Sequence, residues 1–169
     1  LVSFFPRAYE DRTVFKPIAM LMEGESACVR GIVATEPTLS RVRRGMELVK
    51  FRVVDDSSSM DVTFFNQSYV RGQLRLGEYY TFYGRVNVNG ARRGMTNPVF
   101  EPQSAEGRVT GRIMPIYRLT AGLTQRAVVS AVRQALDLSG GLVPDALPEE
   151  ITRRFELCQA RYAYENIHF

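Results

Sequence analysis

No tryptophan occurs among the 169 residues, and there are one histidine, His168, and two cysteines, Cys28 and Cys158. The cysteines lie far apart without metal-ligand spacing, so no zinc site is expected. The one histidine stands next to the last residue and offers little for a His-based nucleophilic triad. No apolar run approaches the roughly eighteen residues of a membrane-spanning helix. The opening, LVSFFPRAYEDRT, lacks the basic start, apolar middle and small-residue cleavage site of a secretory signal, so a cytoplasmic location without a membrane partner is expected. A phosphate-binding GxxxxGK[ST] loop is also missing. Neither Lys16 nor Lys50 follows a glycine, so the chain is not expected to hold a nucleotide or any other cofactor. The acid pairs Asp55–Asp56 and Glu149–Glu150 have no partner suggesting catalysis and read as turn and helix-start chemistry.

Lysine is scarce too: two against twenty arginines. The net charge of +4 is unevenly spread, since residues 30 to 94 carry eleven basic and six acidic side chains while the flanks are balanced or slightly acidic. Arginine's planar fork of donors suits phosphate oxygens and stacks on bases. A bias toward arginine by itself has an equally plain origin in genome base composition; its clustering in the middle calls for a separate reason.

The middle reads as short strands. Residues 27 to 35, ACVRGIVAT, are β-branched and stop at Glu36-Pro37. In ELVKFRVVDD, Val49, Phe51 and Val53 alternate with Lys50 and Arg52, giving an apolar face and a cationic one. After a turn at Ser57 to Ser59, Met60, Val62 and Phe64 face inward while Asp61, Thr63 and Phe65 face outward. NQSYVRGQL is too polar for a core strand and is expected to form a short helical or turn segment, with Phe65 and Tyr69 one helical turn apart. YYTFYGRVNV alternates with Tyr80, Phe82, Gly84 and Val86 inward, and a last strand is expected from Gly94 to Glu101. Five short strands interrupted between the third and fourth fit a mainly β chain: a five-stranded OB-fold Greek-key barrel followed by a C-terminal helical segment.

On that fold Arg41, Arg43 and Arg44 fall between the first two strands, and Arg92 and Arg93 between the last two, the loops that flank an OB-fold's nucleic-acid-binding face. Both carry the tetrapeptide RRGM, at residues 43 to 46 and 92 to 95. With Lys50 and Arg52 between them they outline a phosphate track. Phe65 and Tyr69 then offer ring faces for unstacked bases; packing of Phe65 against the barrel floor is the alternative. Whether Arg30 and Arg85 also reach a ligand is left open. Beyond the barrel, IMPIYRLTAGLTQ reads as an extended connection. RAVVSAVRQALDLSGG reads as an amphipathic helix through Val128, Val132 and Leu136, stopped by Gly140 and Gly141, and two shorter helices follow Pro148 and Cys158. The apolar finish at Ile167 and Phe169 suggests a chain cut from a longer one.

Four segments in order, FPRAYEDRT (5 to 13), FFNQSY (64 to 69), PIYRLTAGLTQ (115 to 125) and LPEEI through NIHF (147 to 169), resemble the wedge region of the RecG family of bacterial ATP-dependent branched-DNA helicases. Ala8 and Arg118 depart from that pattern, where the family usually has Arg and Pro. The resemblance implies a lead-in segment at 1–26, an OB-fold wedge at 27–112, and a linker with helices at 113–169 leading to a motor. It implies a monomer whose partners are branched DNA and the motor domains of the same polypeptide, with ATP and Mg confined to that motor and no enzymatic activity in this chain alone. Phe65 and Tyr69 match the two aromatics that cap parted bases. A generic single-strand-binding module and a protein-interaction barrel are the competing readings.

Overall fold

Alternating Val49, Phe51 and Val53 are 0%, 5% and 0% exposed, and Met60, Val62 and Phe64 are 1%, 0% and 1%, so the pleat sorts these strands as their sequences require. In the computed structural model, residues 1–105, 110–139 and 143–169 are described. The strands are β1 (Ala8–Asp11), β2 (Ser26–Val33), β3 (Thr38–Arg43), β4 (Met46–Val54), β5 (Ser59–Phe65), β6 (Tyr79–Asn89), β7 (Arg92–Thr96), β8 (Val99–Pro102) and β9 (Ile113–Ile116). The helices are α1 (Gln125–Ser139), α2 (Glu149–Arg154) and α3 (Ala160–His168). Two compact units result, one from residues 11–112 and the other from 1–10 with 113–169.

In the first unit β2 pairs antiparallel with β6 and with β4, β4 with β5, β5 with β7 in parallel, and β7 with β6, so the pairings run around a circuit. This is OB-type connectivity. The first expected strand stands as β2, with β3 a further strand in the connection expected to follow it, and the fifth is broken in two, as β7 and β8. Between β2 and β3 the chain passes Glu36-Pro37, where proline has no N–H to give to a ladder. Between β7 and β8 it passes Asn97, whose φ of 47° takes it out of the strand region. Two glycines let the backbones meet. A Cβ on Gly31 would lie 2.7 Å from the Val54 carbonyl oxygen, and one on Gly94 would lie 2.8 Å from that of Asp61. Inside, the rings of Phe51, Phe64, Tyr80, Phe82 and Phe100 form a connected cluster in which each centroid lies 5.7 to 6.3 Å from at least two others. Ile18 and Leu21, at 0% and 3% exposure, join this core from the segment before β2.

Asp55 ties that segment to the β4–β5 turn. Its Oδ1 accepts from the Ser57 and Ser58 N–H groups at 2.8 and 2.9 Å and from the Ser57 hydroxyl at 2.6 Å, while Oδ2 accepts from the Ile18 N–H at 2.8 Å. Partial burial alone would push its carboxyl up, but these hydrogen bonds to the ionised form outweigh it and hold the group below its ordinary 3.8.

The second unit pairs β1 with β9, so the expected extended connection begins as a strand. Val128, Val132 and Leu136 of α1 are buried with Tyr117, as the four-residue spacing predicts. The glycine stop expected at Gly140 and Gly141 lies outside the described residues. His168 is fully buried: its Nε2 lies 2.7 Å from the Val2 carbonyl, which can only accept, so Nε2 carries a proton, and its Nδ1 lies 2.7 Å from the Tyr117 hydroxyl. Burial first, and Tyr9 nearby second, push the Tyr117 phenol up to about 12.

Candidate nucleic-acid interface

The outward positions of β4 and β5 pair across the ladder as Leu48 with Phe65, Lys50 with Thr63, and Arg52 with Asp61. Two-residue periodicity puts these three pairs on one face in a row, each step about 7 Å along the strands. Phe65 is half-buried at the end of the row. It neither floats free nor sinks into the core: neighbouring Phe64 takes the core position, at 1% exposure.

Phe65 and Tyr69 are not joined by a helical turn, contrary to the expectation from their spacing. β5 ends at Phe65, Asn66 turns the chain with a φ of 53°, and Tyr69 lies in a 3-10 helix, Ser68–Gly72. A 3-10 helix repeats at three residues, and Phe65 precedes it. Val70 anchors this helix in the core at 1% exposure, which leaves Tyr69 outside at 63%, its hydroxyl donating to Gln67 Oε1 at 2.9 Å.

Two asparagines hold this corner: Asn66, which the sequence places near the start of the polar segment, and Asn97, which sequence reasoning passed over. Asn66 exchanges hydrogen bonds with Glu47: its N–H donates to the Glu47 carbonyl at 2.8 Å, and its Oδ1 accepts from the Glu47 N–H at 3.0 Å. Asn97 donates its N–H to the Thr63 carbonyl at 2.9 Å and accepts the Phe65 N–H on Oδ1 at 2.8 Å. The Asn97-Pro98 dipeptide was the available signal, since this pair commonly opens a turn.

The arginines stand differently from their expected loops. Arg41 and Arg43 belong to β3 and Arg44 to the turn with Gly45 (φ 79°), whereas Arg92 and Arg93 already lie in β7, after a turn at Gly90 (φ 62°). The two RRGM copies are therefore not equivalent. Gly45 serves a left-handed turn, and Gly94 serves the close approach of β7 to β5.

Neither are the cations equally available. Arg41 Nε sits 3.0 Å from Glu47 Oε1, Arg52 Nε 3.2 Å from Asp61 Oδ1, and Arg93 Nε donates to the Leu21 carbonyl at 3.0 Å. Arg43, Arg44, Lys50 and Arg92 have no ion-pair partner among the described residues; Arg71, in the last turn of the Tyr69 helix, is a further such cation that the sequence reading did not single out. The structure gathers Arg41, Arg43 and Arg44 around one hollow with Asn66, and Lys50, Arg52 and Arg92 around a second with Thr35, Thr38 and Thr63. Of the residues left open earlier, Arg30 lies over the Phe15 ring at 4.5 Å.

The family model described as the RecG wedge domain matches residues 1–138. The ATP-dependent DNA helicase RecG of Thermotoga maritima is 28% identical over 171 residues, covering 100% of this chain and 22% of its own length. That of Streptococcus pneumoniae is 25% identical over 170 residues, covering 100% and 24%. A solved structure of RecG bound to a three-way DNA junction superposes with a TM-score of 0.84 at 26% identity, covering 99% of this chain and 23% of the other. The chain thus spans under a quarter of the length of these relatives.

Proposed function

The chain belongs to the RecG wedge-domain family, and on that premise we propose that it binds branched DNA at the point where strands part, as the wedge against which a helicase separates the arms of a fork or junction. The observation that carries this reading is that, at the end of β5, half-buried Phe65 and exposed Tyr69 stand on either side of Asn66, which lines one hollow with Arg41, Arg43 and Arg44. Ring faces hold unstacked bases without regard to sequence, and guanidinium groups hold the phosphates beside them. Phe65 and Tyr69 would cap the bases exposed by strand separation, Arg43, Arg44 and Arg92 with Lys50 would bind backbone, and Arg41 and Arg52, each carrying an acidic partner, would add less net charge.

Strand separation driven in the course of fork reversal and branch migration, in DNA repair and recombination, is the role proposed for the longer polypeptide. ATP and Mg would act there. This chain does not fit them, because neither lysine follows a glycine in a phosphate-binding loop. A cytoplasmic site of action is proposed from the bacterial relatives. No helix among the described residues is long and apolar enough to cross a membrane.

The test is a comparison of affinities for a fork, a linear duplex and a single strand of equal length across a salt series. A preference for the fork supports the wedge reading. Equal binding of fork and single strand would indicate a generic single-strand module, and a salt slope near zero would indicate a protein-interaction barrel.

A further inference from the structure

We propose that Glu47 is a positioning residue of the junction site: it holds Arg41 at a fixed place beside the ring-bearing corner. It thereby favours a fork, which offers phosphates and parted bases together, over linear DNA. This rests on the junction reading above and names the residue that sets its selectivity.

The strand registers put three residues side by side. Arg41 of β3 pairs with Glu47 of β4, and Leu48 of β4 pairs with Phe65 of β5, so the next rung sets Glu47 against Asn66. The Asn66 N–H donates to the Glu47 carbonyl at 2.8 Å, as in any antiparallel ladder. Its φ of 53° then turns the chain, and its side-chain Oδ1 takes the place of a main-chain carbonyl, accepting the Glu47 N–H at 3.0 Å. On the other side Glu47 Oε1 accepts from Arg41 Nε at 3.0 Å. Glu47 is therefore fixed through its main chain to the corner and through its carboxylate to the cation. Two strand spacings, about 10 Å, separate Arg41 from the residue that follows Phe65.

Stability does not explain this arrangement. The Arg41 side chain is 80% exposed, and an ion pair so placed contributes little to folding while it cancels a charge that could bind phosphate. Nor does the pair belong to the Lys50 and Arg52 row: two-residue periodicity turns Glu47 and Arg41 to the opposite side of their strands. β3 is exposed at all six positions and pairs only with β4, so it is an arm rather than a wall of the barrel. A register shift between Arg41 and Arg43 bends that arm further. An untied arginine on such an arm samples many rotamers, and ordering it on DNA costs entropy. The Glu47 carboxylate orders it beforehand. What is given up is net charge, which attracts any DNA. What is gained is a cation at a set distance from Phe65 and Tyr69, which counts only where bases are parted.

The experiment uses the 169-residue chain and measures affinity for a fork, a linear duplex and a single strand of equal length across a salt series. The proteins are wild type, Glu47→Ala, Glu47→Gln, Arg41→Ala and the double variant Arg41→Ala with Glu47→Ala. Glu47→Ala frees Arg41, so it should bind linear DNA severalfold more tightly, with a log–log salt slope steeper by about 0.7–0.9, while its preference for the fork falls severalfold. Glu47→Gln keeps an oxygen for Arg41 Nε and should keep most of the preference. In the Arg41→Ala background, changing Glu47 should leave the preference where Arg41→Ala alone sets it. Thermal melts should stay close to wild type throughout, because the main-chain bonds between Glu47 and Asn66 are untouched. A fork preference in Glu47→Ala equal to that of wild type, or a loss that persists undiminished without Arg41, would overturn the proposal and leave the junction reading standing. No preference for the fork in wild type would instead overturn the junction reading itself.

Discussion

The side-chain oxygen of Asn97 accepts the backbone N–H of Phe65 at 2.8 Å, and Asn97 returns its own N–H to the carbonyl of Thr63 at 2.9 Å. A residue in the break of the last barrel strand thereby sets where the third strand ends and where its final ring stands. Asn97→Ala should cost about 1 kcal/mol in stability and should weaken fork binding although no ring or charge is lost. In a double-mutant cycle with Phe65→Ala, the two losses should be clearly less than additive, as expected when one residue acts by positioning the other.

The adjacent phenylalanines should separate cleanly. Phe64→Ala removes a ring packed against Phe51 and Phe100 and should destabilise the fold by roughly 3–5 kcal/mol. Phe65→Ala should leave most of the thermal stability in place while reducing fork affinity by about 1–3 kcal/mol, and Tyr69→Ala should do the same. Thermal melts beside fork titrations test both halves.

Arginines that look alike in sequence should respond differently to removal. Replacing Arg43, Arg44 or Arg92 with Ala should each lower the log–log salt slope by about 0.7–0.9 with little change in melting. Arg93→Ala should chiefly lower the melting temperature, because its guanidinium holds the Leu21 carbonyl at the barrel's end. Salt titrations of the four single variants, each beside a melt, check this.

Acid and alkali should act through different groups. Asp55 is held below its ordinary carboxyl value in the folded state, so its contribution is present above 3.8 and is lost as pH falls through the lower folded value. Asp55→Asn should flatten the acid side of the stability profile of the barrel. Tyr117 is raised from 10.0 to about 12, so its contribution is complete below 10 and is lost between 10 and 12 as the buried phenol ionises. Tyr117→Phe should remove that alkaline step. Denaturant melts from pH 3 to 5 and from pH 9 to 12 read the two effects.

Much of the barrel was legible because alternation is a local property. Val49 through Val53 and Met60 through Phe64 declare their faces residue by residue, and the fold buries them as read; in β6 Tyr80, Phe82 and Val86 are buried as read, but Thr81 and Tyr83 on the opposite face are buried as well, Tyr83 beneath the Arg12 guanidinium at 4.1 Å. Likewise Val128, Val132 and Leu136 declare the buried side of α1. What misled was spacing without context. Phe65 and Tyr69 are four apart, yet a strand end and a left-handed Asn66 intervene, so helical geometry does not apply. The repeated RRGM suggested two matching loops, but Gly45 turns the chain while Gly94 admits a neighbouring backbone.

The sequence by itself determined the alternation of the strands, the surplus of arginine in the middle third, the division of labour between Phe64 and Phe65, and the resemblance that points to the family. Only the tertiary structure decided which of those arginines are spoken for, because Glu47, Asp61 and the Leu21 carbonyl come from partners that strand pairing and core packing bring together. It also decided that Asn97 steadies Phe65 from thirty-two residues away. Periodicity is written in neighbours along the chain, whereas pairing of charges and hydrogen bonds is written in neighbours across the barrel, and those exist only once the sheet has curled.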